Sequence, residues 1–387
     1  IGYLAMVITR SMRVNGLASK PPQNSIVRKK SSSVTPTKIN AGKAKKGSGK
    51  SRLQKQEKHN EESHPAPTIS KNHDGTAEKV LLLSLSDDLV QGVLRNRPSQ
   101  RNRSPYVADV FLEQEQREAI VHVPNLDMGG KCIPGTTLLM KPARDKKGNL
   151  VGKDAVNPKF GTPKCEFIAQ LLRVDESHLG YEPTWVGAHP SLGEKIAEQL
   201  VQRNLLGPHF PKVKSFQREV SSIGGADMRA DFLIEHETAS LLPRILEVKT
   251  VVDTDYAVSA VPERAKCVFT SEKVPYQRTA IFPWGQSNQK GPNGEKVVSA
   301  RAIKHVQELR RLVSTKQYDA TVLFVVIRHD AKLFRPNHEA CPSFARYLKE
   351  AEEAGVQILA KQVCWGEGDD IGKCFEGPLL DIVWVDS

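Results

Sequence analysis

Short apolar segments, separated by turn-forming residues, follow one another between residues 103 and 188. Within them apolar and polar positions alternate, which is typical of strands that bury one face. The pattern predicts strands at 106–112, 119–123, 136–140, 165–174 and 184–188. Five short strands in so short a stretch suit a small β-barrel, and the OB-fold is the common nucleic-acid-binding version. Periodicity alone does not distinguish the OB-fold from other small barrels.

After residue 190 the apolar spacing changes to three and four, which is typical of helices. Ser191 and Glu194 have the spacing of a capping box, and apolar residues recur at 192, 196 and 200, so a helix is predicted to begin here. A second helix is predicted at 300–313. Its inward residues would be Ala302, Val306, Leu309 and Val313, and its outward residues Arg301, Lys304, His305, Glu308 and Arg311.

A βαβ unit is predicted near the C-terminus. The continuous apolar run at 320–327 indicates a buried parallel strand. A helix at 343–354 and a strand at 356–363 complete the unit, with Gly355 as the helix C-cap. The predicted fold class is therefore α/β (α+β), with helices flanking a mixed sheet behind a small barrel.

Two strand-like segments of this second half carry the candidate chemistry. Asp231 opens one apolar segment, and Glu247 and Lys249 lie near the end of the next. Residues two apart on a strand point to the same face, so Glu247 and Lys249 project together while Val248 enters the core. If the two strands pair, Asp231 joins them.

Asp231 and Glu247 are the predicted ligands of a Mg²⁺ ion, because hard divalent cations take carboxylate oxygens. Lys249 would orient the nucleophile or steady charge on a phosphoryl group, so the set suits hydrolysis of a phosphodiester. A Glu-x-Lys pattern is also common on solvated strand faces. The three residues alone do not separate these two interpretations.

Positive charge is concentrated at the N-terminus. The chain has 387 residues and a net charge of +12, and residues 1–80 hold 16 Lys and Arg against 5 Asp and Glu, which is +11 of that total. Residues 1–98 are predicted to be a disordered basic tail with a marginal helix at 80–94. This composition is typical of organellar (plastid or mitochondrial) transit peptides, and equally of a nuclear-localisation or nucleic-acid-binding arm.

The remaining composition narrows the function classes. Six cysteines are scattered without a Cys-x-x-Cys pair, so neither a zinc site nor a disulfide framework is indicated. No apolar stretch reaches the 18 residues of a membrane-spanning helix, so no membrane partner is expected. The chain beyond residue 80 has a net charge of only +1. Any polyanion that this part binds must therefore contact a local positive patch or a metal.

Several motifs resemble the sugar fermentation stimulation protein A (SfsA) family, from about Arg103 to the C-terminus. They are His122-Val123-Pro124-Asn125, Trp185-Val186-Gly187, Arg218-Glu219-Val220, Asp231-Phe232-Leu233, Glu247-Val248-Lys249, Lys304-His305, and Leu323 to Val326 followed by Asp330-Ala331 and Phe334-Arg335-Pro336. The resemblance implies an OB-like domain followed by a PD-(D/E)XK nuclease-like domain, associated with DNA binding. The domains expected are the tail at 1–98, the OB-like domain at 99–183 and the nuclease-like domain at 184–387.

The family resemblance also implies the site residues. Glu219 joins Asp231, Glu247 and Lys249 as a candidate catalytic residue, with Asp231 and Glu247 on the metal. The candidate contacts for DNA or another nucleic acid are Arg229, Arg301, Lys304, His305 and His122. His122 is also a candidate for a hydrogen-bonded structural histidine, and the three residues of the second helix are candidates for a solvated face. For His305 a role as a proton relay is a further possibility.

Three departures from the family pattern leave the function open. The Thr-Gly expected after Asn125 is absent, and His189 replaces an asparagine. Trp284 follows Phe282-Pro283 where the family has an acid, and residues 251–298 show so little pattern that an inserted loop is expected. A metal-dependent nuclease and a DNA-binding or regulatory protein on a nuclease-like scaffold are therefore both kept.

Overall fold

The computed structural model describes residues 79–125, 128–263 and 267–384. Most of the predicted tail, residues 1–78, lies outside the described residues. The predicted helix at 80–94 is wrong, and the boundary at residue 98 is too late, because β1 (Leu81–Ser84) and β2 (Val90–Asn96) are strands. The apolar spacing of Val90, Val93 and Leu94 imitates a helix, yet burial there alternates as in a strand.

The first part of the body is a closed five-stranded barrel, as predicted. The ring consists of β2 and the next four strands, β3 (Val107–Leu112), β4 (Arg117–His122), β5 (Thr137–Pro142) and β6 (Phe167–Val174). A sixth strand, β7 (Thr184–Gly187), pairs with β6 outside the ring. Antiparallel pairs join β4-β3-β2-β5-β6, and a parallel pair between β4 and β6 closes the ring. The sequence pattern missed β2 and counted β7 in its place.

The rest of the chain combines helices with one large and several small sheets. The helices are α1 (Ser191–Gln202), α2 (Ala300–Ser314) and α3 (Pro342–Glu353), and the strands are β8 (Val213–Ser221), β9 (Arg229–His236), β10 (Arg244–Val251), β11 (Asp253–Thr254), β12 (Tyr256–Ala257), β13 (Thr270–Ser271), β14 (Thr279–Phe282), β15 (Gln289–Lys290), β16 (Lys296–Val297), β17 (Asp319–Val326), β18 (Leu333–Pro336), β19 (Gln357–Trp365), β20 (Lys373–Leu379) and β21 (Asp381–Ile382).

The large sheet is mixed, as predicted, and has the order β1-β20-β19-β17-β10-β9-β8. Its centre is parallel, because β17 pairs in parallel with both β10 and β19. The apolar side chains of α1 pack on one face, and those of α2 and α3 pack on the other. The βαβ unit predicted for 320–363 is confirmed by β17, α3 and β19. No helix of the described ranges is long and apolar enough to cross a membrane.

Residues 251–298 are not the patternless loop that was expected. Apart from 264–266, which lie outside the described residues, this segment forms the short strands β11 to β16. A small sheet of order β11-β14-β18-β21 anchors it beside the C-terminal half. Polar side chains of this segment are buried against charged partners. For example, Asp255 accepts a hydrogen bond at Oδ2 from Arg335 Nε, at 3.2 Å, and both residues are buried. Such residues look like surface residues in sequence because their partners are distant in the chain.

Buried ion pairs attach the barrel to the second half of the body. Lys131, which follows β4, pairs with Asp253 of β11, and both side chains are almost inaccessible. Glu176, which follows β6, accepts a hydrogen bond from Arg278 Nη2 at 2.7 Å. Removing one partner of a buried pair leaves an uncompensated charge, which is strongly destabilising. The two halves are therefore held in one arrangement by charges as well as by apolar contacts.

Helix α1 lies unusually close to the central strand β10. A Cβ atom added at Gly193 would lie 1.9 Å from Thr250 Oγ1 and 3.1 Å from Thr250 Cβ. Only glycine permits this approach, since real Cβ contacts are never so short. The contact determines where the first turn of α1 sits, and therefore where the neighbouring Glu194 side chain lies.

We expect Gly193→Ala to destabilise the protein by about 1–3 kcal/mol, because overpacking outweighs the helix propensity gained. Chemical denaturation with a two-state fit measures the change. Thr250→Ala removes the clashing atoms, so it should recover most of the loss in the double variant. Gly152→Ala is the control, because nothing lies within 4 Å of its added Cβ atom. Equal stabilities of Gly193→Ala and the control would contradict the packing argument.

Candidate functional site

The pairing of β9 with β10 brings Asp231 to Glu247. The two strands are antiparallel, with Ile245 opposite Leu233 and Leu246 opposite Phe232. The backbone pairing ends after Leu246 and Phe232. There Val248 N donates to the side chain of Asp231, at Oδ2, at 2.7 Å instead of to a backbone carbonyl. The prediction that these two strands are neighbours is confirmed. The loss of the backbone pairing turns the Asp231 carboxylate towards the end of β10.

Glu247 is a buried carboxylate, with only 2% of the residue exposed. Its Oε1 atom accepts hydrogen bonds from Lys249 Nζ and from His305 Nδ1, the latter at 2.5 Å. Burial alone would raise the pKa of Glu247, but these two partners outweigh it and hold the pKa below its usual value. The Oε2 atom is buried without a hydrogen-bond partner among the described residues. Glu247 is therefore ionised, with one oxygen still available.

The prediction that His305 faces outward is wrong, because this side chain is buried beside Glu247. The apolar stripe of α2 explains the position. Ala302 precedes His305 by three residues and Leu309 follows it by four, so His305 lies on the buried face. Its polarity suggested a solvated side chain, whereas its spacing could have placed it correctly. The other nitrogen, Nε2, lies 3.4 Å from Arg301 Nε.

Three carboxylates from three elements converge beside Glu247. Side-chain oxygens of Glu194 on α1, Glu219 on β8 and Asp231 on β9 all lie within 4.8 Å of one another. We call these three residues the acid cluster. Glu219 also pairs with Arg229 at 2.6 Å. The sequence pattern missed Glu194, because its capping-box spacing suggested a backbone role; no side chain caps α1.

The protonation of Asp231 reflects its surroundings. Burial and the negative charges of Glu247 and Glu194 raise the pKa of Asp231 to about 7, although Val248 N and Lys249 oppose the shift. A carboxylate in this position binds either a proton or a cation near neutral pH. Among the described residues, Arg218 pairs with Glu194 at 3.8 Å and Arg229 pairs with Glu219, so Asp231 is the member of the acid cluster that has no ion pair.

Four of the predicted nucleic-acid contacts line one cleft of about 550 Å³. They are Arg229, Arg301, Lys304 and His305. Lys304 is half-exposed and pairs with the exposed Asp227 at 2.5 Å, so its charge is accessible. Arg229 joins the cleft to the acid cluster through its contact with Glu219. His122 is separate, since it lies on β4 of the barrel and does not line this cleft.

Comparison with known proteins gives the family. The sugar fermentation stimulation protein RE domain matches residues 296–368. The sugar fermentation stimulation protein homolog of Carboxydothermus hydrogenoformans is 47% identical over 262 residues, which are 66% of this chain and 83% of that protein. The homolog of a Synechococcus species is 26% identical over 279 residues, which are 72% of this chain and 88% of that protein.

A solved structure has the same fold. SfsA of Pyrococcus furiosus, in complex with Ca²⁺, superposes with a TM-score of 0.51 at 18% identity, and the match covers 79% of this chain and 99% of that one. The sequence match to the Carboxydothermus protein covers most of that protein, and it shows membership of the same family, which a shared fold alone would not show. The chain belongs to the sugar fermentation stimulation protein (SfsA) family.

Proposed function

We propose that this protein is a Mg²⁺-dependent nuclease that hydrolyses phosphodiesters of DNA or another nucleic acid. The observation that carries the proposal is the acid cluster beside the Glu247–Lys249 pair. Carboxylates this close repel one another unless protons or a cation neutralise them. The raised pKa of Asp231, which follows from burial and from Glu247, is the expected mark of such a site.

The side chains present fit a hard divalent cation. Carboxylate oxygens are its preferred protein ligands, and Asp231, Glu194 and Glu219 supply them from separate elements. The unpartnered Oε2 of Glu247 is a further buried acceptor, and an acceptor left unpaired costs free energy that a cation would offset. A bound Mg²⁺ ion would activate water and neutralise charge on the phosphoryl oxygens.

The protein side chains would act on the substrate in distinct ways. The ammonium group of Lys249 lies at Glu247, where it would stabilise negative charge developing on the phosphate. His305 holds the same carboxylate from α2 and so fixes its orientation. Arg301 and Lys304 line the adjacent cleft, where they would contact backbone phosphates of the bound strand.

The relative from Pyrococcus furiosus supports a cation site in this fold, since its structure is a complex with Ca²⁺. Ca²⁺ and Mg²⁺ both take oxygen ligands, so a Ca²⁺ complex is compatible with a carboxylate site. Catalysis is proposed from the residues of this chain alone.

Two observations favour the alternative, a DNA-binding or regulatory protein that does not cleave. Trp284 stands where the family has an acid after Phe282-Pro283. In addition, Glu247 Oε1 is already occupied by Lys249 and His305, which leaves fewer oxygens for a metal. A protein that binds nucleic acid and a cation but cuts no strand would match these features.

Metal binding and cleavage separate the two functions. We expect Asp231→Asn and Glu247→Gln each to weaken Mg²⁺ binding about tenfold or more and to abolish cleavage, because each removes a charged oxygen ligand. Lys249→Met should keep Mg²⁺ binding but lose turnover. Calorimetry measures the first property, and cleavage of labelled single-stranded, duplex and branched DNA measures the second.

Glu235→Gln is the matched control for this set, since Glu235 is an exposed carboxylate on β9 whose one hydrogen bond to a described residue is from Ser215 Oγ. Its Mg²⁺ affinity should equal that of the wild type. If the wild type binds DNA equally with Mg²⁺ or a chelator and cuts none of the substrates, the binding protein is the correct alternative. Cleavage that survives both carboxylate substitutions would place the active site elsewhere.

The pKa of Asp231 predicts how stability depends on pH in the presence of a chelator. In the folded protein this carboxyl keeps its proton up to about pH 7, whereas the unfolded chain loses it near pH 4. The folded state therefore loses stability as pH rises from about 4 to about 7. Asp231→Asn keeps the hydrogen-bond acceptor for Val248 N but has no charge, so it should become increasingly more stable than the wild type over that range.

We expect the advantage of Asp231→Asn to be close to zero at pH 4 and on the order of 1–3 kcal/mol above pH 7. Chemical denaturation in EDTA at several pH values measures it, with Glu235→Gln as a control whose difference from wild type stays constant. Added Mg²⁺ should remove the advantage, because only the wild type binds it well. Parallel profiles for wild type and Asp231→Asn would contradict the assigned pKa.

A further inference from the structure

A long extension of the barrel, residues 143–165, is exposed and strongly basic. It connects β5 to β6 and contains six Lys and Arg residues against two Asp. We call it the barrel loop. Its Arg144 pairs with Asp88 at 3.0 Å, but its five lysines, all exposed, form no ion pair with any described residue; they are Lys146, Lys147, Lys153, Lys159 and Lys164. This excess of positive charge is large, because the whole chain beyond residue 80 has a net charge of only +1.

Two hydrogen-bonded turns give the barrel loop a fixed shape. In the first, Asp145 N donates to Asn149 O at 2.8 Å, and the Asp145 side chain accepts from Lys147 N and Asn149 N. In the second, Asn157 N donates to Thr162 O at 2.7 Å, and Gly161 takes the positive φ that the tight turn requires. One of the two acids is thus engaged within its own turn.

An aromatic ring stands at the tip of the second turn. Phe160 is 66% exposed, and the ammonium group of Lys159 lies 5.2 Å from its ring centroid. Leu150 and Val156 of the same loop are also more than half exposed. A ring that no core covers, surrounded by unpaired cations, is the arrangement that stacks on an unpaired base while lysines contact phosphates. Bases inside a duplex offer no free face to such a ring.

A second group of side chains, two lysines and two histidines, lies on the barrel and at the start of α1. His122 on β4 and Lys141 on β5 are both directly opposite Ile168 on β6, so the three side chains share one face of the barrel. His189 follows β7, where Ala188 N donates to Gln170 O at 2.7 Å, and Lys195 is exposed on α1 beside Glu194.

The charges in this second group act on one another. Burial, and then the positive charges of Lys141, Lys195 and His122, lower the pKa of His189 to about 4. Neither Lys141 nor Lys195 forms an ion pair with a described residue. The two lysines therefore carry positive charge that no described acid pairs with, and Lys195 lies in the same part of α1 as Glu194 of the acid cluster.

We propose that the barrel loop, with Phe160 as a base-stacking residue, and the face formed by His122, Lys141 and Lys195 bind unpaired nucleic acid and lead a single strand to the acid cluster. This inference rests on the proposed function and specifies its substrate as a single strand or a single-stranded extension. It also assigns His122 a partner, the backbone phosphate, on a surface that is distinct from the cleft beside α2.

The test measures binding in EDTA, where no cleavage can occur. Fluorescence anisotropy with the full-length chain compares a labelled 15-nucleotide oligothymidylate with a blunt duplex. Phe160→Ala should weaken binding of the single strand about tenfold while changing duplex binding less than twofold, because only unpaired bases stack. Phe160→Trp should restore the affinity. Val274→Ala, an exposed apolar position in the other half of the body, should leave binding unchanged.

Salt dependence tests the lysines. Each phosphate contact on a single strand contributes about 0.7 to the slope of log affinity against log salt, so Lys146, Lys147 and Lys153 changed together to Gln should reduce that slope by about 2. The control changes three exposed lysines of the other half, Lys290, Lys296 and Lys316, to Gln. Its slope should remain within about 0.5 of the wild-type slope.

The outcomes distinguish this inference from the proposed function. If Phe160→Ala weakens single strand and duplex equally, or weakens neither, the stacking role is overturned. If the loop lysines and the control lysines reduce the slope equally, the guiding surface is overturned. Cleavage by the wild type in Mg²⁺ with no effect of the loop variants would remove only this inference. A tenfold effect of Phe160→Ala with no cleavage of any strand would remove only the nuclease.

Discussion

The buried carboxylate of Glu247 is the constraint around which the second half of the body is arranged. An ionised group in the centre of a sheet is costly unless charged or hydrogen-bonding partners reach it. Lys249 reaches it from the same strand, and His305 reaches it from α2, so the helix must lie where its imidazole meets Glu247. That helix packs on the central strands β10 and β17, which pair in parallel.

The acid cluster adds a second constraint, because it brings three carboxylates together and, among the described residues, only Glu194 and Glu219 have ion-pair partners. Glu194 is brought to Asp231 by the close contact of Gly193 with Thr250, and Glu219 is brought there by β8 at the sheet edge. Packing therefore forces together groups that repel one another. Structures maintain such repulsion mainly at sites that bind a charged ligand. The barrel loop contributes the opposite sign, since its five exposed lysines form no ion pair with a described residue.

The sequence predicted the features that depend on local pattern. Side chains two residues apart on a strand share a face, which placed Glu247 and Lys249 together. The apolar patterns identified β17, α3 and β19. It failed where a residue's role depends on distant partners. His305 was assigned to solvent because it is polar, and Glu194 was assigned to the backbone because of its spacing. Residues 251–298 resembled a loop because charged side chains such as Asp255 are buried against partners far along the chain.

Diffraction from crystals soaked in Mn²⁺ shows whether the acid cluster binds a cation, because Mn²⁺ takes the same oxygen ligands as Mg²⁺ and scatters anomalously. We expect an anomalous difference peak within about 2.5 Å of a carboxylate oxygen of Asp231, shared with Glu194 or Glu219. The peak should disappear in Asp231→Asn crystals soaked in the same way. A fully soaked crystal with no peak at these carboxylates, or with its peak at another group of acids, would contradict the assignment of the acid cluster as a metal site.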